Sequence, residues 1–372
     1  MKKNANGGMK RMARAFAACV MLFLFQPTAA ADNSAKQPTT AKKFTFDDIL
    51  TMLDSSEKQY SYLGTKFVID YTPTRRSTTL VKVTYGAPGW EKKEVSPLQS
   101  GESQIILDDG KFLWHYIPSK ASVIKKKQQF SLGKISRRIY SQSTLIEQNY
   151  EILIEQQNQA EPSALVAQVP SVMGDVMVSF LPKMRDRPSW KIWIESAHGL
   201  IVRTEVYDAN GELAVLSAFS ELTFQLQLSE KSFVVTVPKG TKMETAEEKH
   251  FQTLEEARQQ VRFPISVPQY MPAGFVLSSI ISSPTARGEK VQLAYIDGMS
   301  SISIFEEQHA AEVETSQEAS KEVEINPAIK GTFHDHGLIK ILRWAIDEER
   351  IMTLVGEVAD AELLKIAASI TN

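Results

Sequence analysis

The chain has 372 residues, a formal net charge of −2 and 43% hydrophobic residues. This length favours two domains of roughly 150 residues each, and the ordinary composition favours a globular protein. A charge so close to zero argues against nucleic acid as the main partner, because nucleic-acid-binding proteins usually carry a strongly basic surface.

The first 31 residues predict a secretory signal peptide. A basic segment, residues 1–14, precedes an apolar run from Ala15 to Phe25, and three alanines follow at 29–31. We expect cleavage after Ala31 or Ala30, which leaves residues 32–43 as a polar, flexible leader. The alternative is a membrane anchor, but this apolar run is well short of the ~20 residues that a transmembrane helix needs.

The single cysteine, Cys19, lies inside this apolar run. Apolar residues still follow it, so we do not expect the lipid attachment that requires a cysteine at the end of the run. The mature chain then has no disulfide and no thiol chemistry. No later stretch is long and apolar enough to cross a bilayer, so we expect a soluble mature protein.

A first domain is predicted over residues 44–240. It begins with a helix, because the Thr45 hydroxyl can accept a hydrogen bond from the amide of Asp48. Residues 66–237 then follow the two-residue period of strands, and Asp109-Gly110 and Asn210-Gly211 favour tight hairpin turns. These features predict consecutive antiparallel strands. Within them, residues 141–157 fit either a helix or a helix that runs into a strand.

The polar segment 241–252 predicts a linker, and a second domain is predicted over residues 253–372. Thr253 and Glu256 form a capping-box pattern that starts a helix. Asp297-Gly298 predicts another hairpin turn.

Three further features mark the end of the second domain. The acidic stretch 306–324 predicts a mobile loop. Trp344 falls in a final pair of strands. Asp360 is predicted to cap a last helix, residues 361–370, whose apolar residues form one buried face.

Motifs for common enzyme classes are absent: there is no G-x-S-x-G, no Walker loop, no G-x-G-x-x-G and no H-E-x-x-H. We therefore predict no catalytic residues and no cofactor. His334 and His336 would project from the same side of a strand, but two imidazoles form a weak site without further ligands, so no metal site is predicted. Asp108-Asp109 precedes Gly110 and fits a hairpin turn better than a calcium site.

A curved antiparallel sheet with a helix across its mouth can enclose an apolar cavity for an acyl chain. Alternating apolar and aromatic residues on four strands predict such a lining. These residues are Phe67, Ile69, Tyr71, Val81, Val83, Tyr85, Phe112, Trp114, Tyr116, Trp190, Ile192 and Ile194. An ordinary filled core produces the same pattern.

Residues 119–140 contain seven lysines and arginines and no acidic residue. Such a local positive patch fits an anionic lipid, lipopolysaccharide or an acidic peptide. The alternative is a solvated loop whose charges only keep it soluble. The predicted patch consists of Lys125, Lys126, Lys127, Arg137 and Arg138.

Several of these motifs resemble the MucB/RseB family. They include Tyr60-x-Tyr62-x-Gly64 before the first strand, the segment 107–118 around Asp109-Gly110, and the segments 190–195 and 198–208. The N-terminal part also resembles the lipoprotein carriers LolA and LolB. The tail is similar to the small C-terminal domain of MucB/RseB proteins.

This resemblance implies an α+β fold, with a half-open antiparallel β-barrel wrapped on helices and then a smaller α+β domain. It implies a non-enzymatic periplasmic protein that binds the periplasmic part of a transmembrane anti-sigma factor and shields it from proteolysis. Lipid, lipoprotein or lipopolysaccharide ligands would release that hold. The alternative is a periplasmic carrier that shuttles lipoproteins or lipids in the same cavity.

Overall fold

A computed structural model describes residues 43–73, 75–99, 101–127, 134–156, 172–224, 227–245, 247–285, 288–308 and 320–370. The predicted signal peptide and residues 32–42 of the predicted leader lie outside the described residues. In the part of the chain that is described, no helix is long and apolar enough to span a membrane. The residues from Lys43 onward form one compact unit.

Twelve strands form the first sheet in the described part of the chain. The strands are β1 (Tyr62–Tyr71), β2 (Arg76–Gly86), β3 (Trp90–Pro97), β4 (Gln104–Asp108), β5 (Phe112–Ile117), β6 (Ser122–Lys127), β7 (Tyr150–Gln156), β8 (Val176–Pro182), β9 (Ser189–Glu195), β10 (Leu200–Tyr207), β11 (Leu213–Phe224) and β12 (Lys242–Thr245). Their order is β12-β6-β5-β4-β3-β2-β1-β11-β10-β9-β8-β7, and all neighbours are antiparallel except β12, which runs parallel to β6. The end strands β12 and β7 do not pair with each other, so the first sheet is open and not a closed barrel.

Three helices cover one face of the first sheet: α1 (Phe46–Gln59), α2 (Ile135–Ser141) and α3 (Ser143–Asn149). The predicted start of α1 is confirmed. The Thr45 hydroxyl accepts from the Asp48 amide at 3.2 Å, and the Asp48 carboxylate accepts from the Thr45 amide at 2.9 Å. In the ambiguous segment 141–157, α3 runs directly into β7.

Eight antiparallel strands of the described residues form the second sheet. The strands are β13 (Lys249–Phe251), β14 (Val276–Pro284), β15 (Glu289–Ile296), β16 (Ser301–Gln308), β17 (Ser320–Asn326), β18 (Ile329–His336), β19 (Ile339–Ala345) and β20 (Arg350–Gly356). Their order is β13-β14-β15-β16-β20-β19-β18-β17. Two helices, α4 (Leu254–Gln260) and α5 (Asp360–Ser369), pack with it around an apolar core that includes Trp344. The predicted linker segment 241–252 contains β12 and β13, one strand of each sheet.

The three predicted hairpin turns are confirmed. Gly110, Gly211 and Gly298 all have positive φ angles, between +81° and +109°, and each lies between paired strands. Thr253 also caps α4, since its hydroxyl accepts from the Glu256 amide at 3.1 Å.

Two local predictions are wrong. Asp360 does not cap α5: the cap residue is Ala359, and Asp360 lies in the first turn, where its carboxylate pairs with Lys340 at 3.1 Å. The acidic stretch 306–324 is not a loop throughout, because β16 extends to residue 308 and β17 begins at residue 320. Glu306 is buried, and its carboxylate pairs with Arg350 at 2.7 Å. Residues 309–319 lie outside the described residues.

A turn of the second sheet is anchored in the first. Asp297, fully buried, accepts hydrogen bonds from Arg187 at 2.9 Å and from the Tyr150 hydroxyl at 2.8 Å. Met299 packs into the apolar cluster beneath the helices. A Cβ atom on Gly298 would lie 2.7 Å from the Ile146 side chain, so only glycine fits this approach. The two sheets are therefore held together by buried contacts.

Candidate functional site

The strand register shows which residues lie on the helix-covered face of the first sheet. Residues that face each other across paired strands project to the same side of a sheet. Tyr62 pairs with Tyr85, which pairs with Glu91, and Lys66 pairs with Val81. Tyr62 and Tyr85 pack with Val81 and Val83 in one buried cluster. This face therefore carries charged as well as apolar side chains.

The half of this face formed by β8 and β9 is filled. Ile192 and Ile194 have no exposed surface, and they pack with Ile49 and Leu53 of α1. Trp190, on the same face, is 8% exposed and lies at the edge of this packed cluster. Of the predicted cavity residues on β9, Ile192 and Ile194 thus belong to a solid core.

The half formed by β1–β3 is hollow. It holds a cavity of about 330 Å³ that reaches Trp190 on one side and Leu338, from the turn between β18 and β19, on another. This volume is at the lower end of the range for small-molecule sites. Its side-chain lining includes Leu53, Ser56, Glu57, Tyr62, Lys66, Val68, Val83, Tyr85, Glu91, Lys93, Lys134, Trp190, Val206, Val215, Ser217, Phe219 and Leu338.

Phe67, Ile69 and Tyr71 do not line the cavity with Val83 and Tyr85. Phe67 pairs with Leu80 and Ile69 with Thr78, whereas the cavity residues of β2 pair with the even-numbered positions of β1. Those even positions hold Lys66 and Val68. The alternation rule selected the odd positions because they are more apolar, and the cavity face of β1 contains a lysine.

Phe112, Trp114 and Tyr116 lie on the outer face of the sheet. Trp114 pairs with Leu107, which pairs with Lys92, which pairs with Thr84. Thr84 projects away from its cavity-lining neighbours, Val83 and Tyr85. The predicted lining is therefore split: Val83, Tyr85 and Trp190 reach the cavity, and Val81 packs beside it.

The cavity contains a cluster of charged side chains that the sequence interpretation missed. Lys93 pairs with Glu91 at 2.7 Å. Lys134 lies 3.7 Å from Glu91 and 3.6 Å from Glu57, and its ammonium sits 3.2 Å from the centre of the Tyr85 ring. The three lysines that line the cavity (Lys66, Lys93 and Lys134) outnumber its two glutamates, which leaves an excess of positive charge.

Burial sets the ionisation of this cluster. Burial, reinforced by the neighbouring Lys93, lowers the pKa of Lys66 to about 8. Burial also lowers the pKa of Lys134. Burial alone would raise the pKa of Glu91, but Lys134 and Lys93 outweigh it, and the pKa of Glu91 is lowered. Glu91 therefore stays ionised.

Lys66 is attracted by Glu91 across the cavity but forms no direct ion pair with a described residue. No carboxylate of a described residue lies within ion-pairing distance of it, and its ammonium is 5.9 Å from the centre of the Phe219 ring. The indole nitrogen of Trp190 is also buried without a hydrogen-bond partner among the residues that the structure describes. Buried polar groups are normally paired, so both are ready to bond to a polar ligand atom.

The predicted basic patch is not assembled. Lys125 lies over the rings of Phe112 and Trp114 on the outer face. Lys126 pairs with Glu248 at 3.1 Å. The side chain of Lys127 lies outside the described part of the chain.

The arginines of the predicted patch are on α2, and both are engaged. Arg137 pairs with Glu57 at 2.6 Å, and Arg138 donates to the carbonyl of Met299 at 2.8 Å. His334 and His336 do lie on the same side of β18, with stacked rings 6.2 Å apart. No group of three or more metal-binding side chains occurs among the described residues.

Comparisons with known proteins identify the first sheet. The family model of the MucB/RseB N-terminal domain matches residues 45–237. No curated protein matches the chain.

Three solved structures show different degrees of likeness. The complex of Pseudomonas aeruginosa MucA and MucB matches with a TM-score of 0.54 and 17% identity, over 87% of this chain and 98% of that one. MucB in complex with periplasmic MucA matches with a TM-score of 0.52 and 16% identity, over 88% and 98%. Both likenesses show the fold. A LolA superfamily protein from Nitrosomonas europaea covers 52% of this chain and 99% of its own, at 12% identity and a TM-score of 0.26, too low to support an argument.

Proposed function

The chain belongs to the MucB/RseB family, and from this premise we propose that it is a periplasmic regulator that binds a transmembrane anti-sigma factor. The matched structures of MucB in complex with MucA support a peptide or protein partner of this kind. In this role the protein holds the periplasmic part of the anti-sigma factor and protects it from proteolysis. The predicted signal peptide would deliver it to the periplasm.

We further propose that the cavity binds an amphiphile with an acidic head group, such as a lipid, lipoprotein or lipopolysaccharide. The observation that carries this proposal is the unpaired Lys66 ammonium in a cavity of about 330 Å³ with an excess of lysines. An anion next to Lys66 supplies the missing partner, and the apolar wall of Val68, Val83 and Phe219 suits an acyl chain.

A lipid or lipoprotein carrier would use the same cavity. The second sheet argues for the regulator, because Leu338 from that sheet forms part of the cavity wall. A ligand in the cavity therefore contacts both halves of the chain, which a regulator can use and a minimal carrier does not need.

Affinity purification from envelope extracts tests the proposed function. The tagged full-length chain, exported and processed in its own host, is expected to recover a membrane-anchored anti-sigma factor, identified by mass spectrometry. The matched control is the same tag on an unrelated exported protein. Recovery of outer-membrane lipoproteins without any membrane signalling protein would favour the carrier and contradict the regulator.

A further inference from the structure

A second depression, which we call the groove, lies between the helices and the second sheet. It has a volume of about 600 Å³, and its walls come from α1, α2 and the start of β14. Residues from each wall include Leu53, Lys58, Arg137, Tyr140, Ser278 and Ser279. It is nearly twice as large as the cavity and is separate from the lysine cluster on β1 and β3.

One wall of the groove is an uncovered strand edge. The edge strand β13 pairs only with Ile280–Ser282 of β14, whereas β14 begins at Val276. Within the described ranges, residues 276–279 therefore have a strand neighbour only on the β15 side. In the described chain they form no backbone hydrogen bonds outside that ladder. Backbone groups on an open edge can pair with another extended chain.

The groove is close to neutral but displays apolar surface. Lys58 pairs with Asp54 at 2.7 Å and Arg137 with Glu57 at 2.6 Å, so its charges are matched within the chain. Tyr140 is 51% exposed in the groove. Val276 and Leu277, which directly precede the groove-lining Ser278 and Ser279 on β14, are 44% and 41% exposed.

These properties select one kind of occupant. A free strand edge offers a row of backbone donors and acceptors, which an extended peptide can satisfy and an acyl chain cannot. Matched charges give no preference for an acidic or a basic ligand, and the exposed apolar side chains favour a segment with apolar residues.

We propose that an extended, largely uncharged peptide segment of the partner adds as a strand to residues 276–279 of β14 and packs its apolar side chains against Tyr140. The identity of that partner rests on the proposed function; the position of the site rests on the groove. Because α1 and α2 form one wall and β14 the other, the bound segment contacts the helices that cover the first sheet and a strand of the second sheet.

The groove and the cavity share a wall. Leu53, Glu57 and Ser136 line both, and Glu57 pairs with Arg137 on the groove side and contacts Lys134 on the cavity side. An anion that draws Lys134 away from Glu57 therefore alters a group that also lines the peptide site.

Binding of the purified periplasmic domain of the anti-sigma factor from the same organism tests the site. The double variant Val276→Lys, Leu277→Lys places two charges on side chains that are already exposed, so the fold is retained. We expect about tenfold or greater weakening of binding. The control variant Leu98→Lys alters an exposed leucine on a different part of the chain and is expected to bind like the wild type.

Hydrogen exchange of the wild-type complex gives an independent reading. The amides of residues 276–279 are expected to become protected when the domain binds. Equal binding by the wild type and the double variant, with unchanged exchange at these amides, would overturn the groove as the site and leave the proposed function standing. Failure of the wild type to bind the domain at all would overturn both.

Discussion

The two halves of the helix-covered face differ in what their strands carry. Over β8 and β9 the inward positions are apolar, as at Val178, Ile192 and Ile194, and α1 packs onto them without exposed surface. Over β1–β3 the same face carries Lys66, Lys93 and Glu91, and it encloses a cavity. The helix-covered face of this one sheet is thus closely packed in one half and encloses a cavity in the other half.

This difference has a physical cause. Buried charges require partners, so a surface that carries them cannot close onto an apolar helix as hydrocarbon does. The filled half supplies stability through packing. The hollow half carries groups whose burial is unfavourable until a ligand pairs with them, and such groups are more useful for binding than for folding. Substitutions in each half separate these two contributions.

The largest expected effect concerns the turn that anchors the second sheet in the filled half. Asp297→Ala removes the buried carboxylate that accepts hydrogen bonds from Arg187 and from the Tyr150 hydroxyl, although Arg187 keeps its ion pair with Asp186. The variant is expected to lower the free energy of unfolding by about 3–5 kcal/mol, measured by urea denaturation. The control Glu322→Ala removes an exposed pair with Lys330 and should change stability little. Similar values for the two variants would show that the turn is not a structural anchor.

The next effect compares truncation in the two halves. Ile192→Ala in the filled half should cost about 2–5 kcal/mol in thermal or urea unfolding, because a cavity opens in a closed core. Val83→Ala removes methyl groups that already border empty space, so its cost should be clearly smaller. If Val83→Ala were the more damaging, the distinction between a filled and a hollow half would be wrong.

The smallest effect on stability has the opposite sign. Lys66→Met removes a charge that is half-buried in the cavity and is expected to raise the free energy of unfolding at pH 7 by about 1–3 kcal/mol. In the folded chain the pKa of Lys66 is about 8, below its ordinary value of 10.5, so the unfolded chain binds more protons between these values. Wild-type stability therefore rises from pH 8 to pH 10.5, and the advantage of the variant shrinks over that range.

Urea denaturation at pH 7 and pH 10 measures this change. The control Lys82→Met alters an exposed lysine on the outer face of β2 and should have a small effect that is the same at both pH values. A destabilising Lys66→Met would mean that the lysine is satisfied in the folded chain.

Features set by neighbouring residues could be predicted from the sequence. The Thr45 and Thr253 caps and the three glycine turns depend on a few adjacent positions, and the structure contains them all. The prediction that Asp360 caps α5 was wrong because the Asp360 carboxylate pairs with Lys340, which is 20 positions away in the sequence. Similarly, Arg350 stabilises a buried Glu306 in a stretch whose composition is typical of a loop.

The candidate site was harder to predict, because it depends on contacts between distant segments. Glu57 is on α1, Glu91 on β3 and Lys134 at the start of α2, and no local pattern brings them together. Hydrophobic alternation also selected the wrong face of β1, since the cavity position is Lys66 and its apolar neighbours point outward. The signal available in the sequence was Lys66, a lysine among the apolar residues of β1, which indicates that this face of the strand is not a purely apolar core.

The most direct test of the account is the binding of charged acyl probes to the delipidated protein. Isothermal titration calorimetry measures this binding below the micellar concentration of each probe. Decyl sulfate should bind, whereas decyltrimethylammonium, which has the same chain and the opposite charge, should bind far more weakly. Decyl sulfate binding should fall in Lys66→Met and, for the wild type, as the pH rises from 7 to 9 and Lys66 loses its proton. Equal binding of the two probes, or decyl sulfate binding that is unchanged in Lys66→Met and at pH 9, would contradict an acidic-amphiphile site in the hollow half.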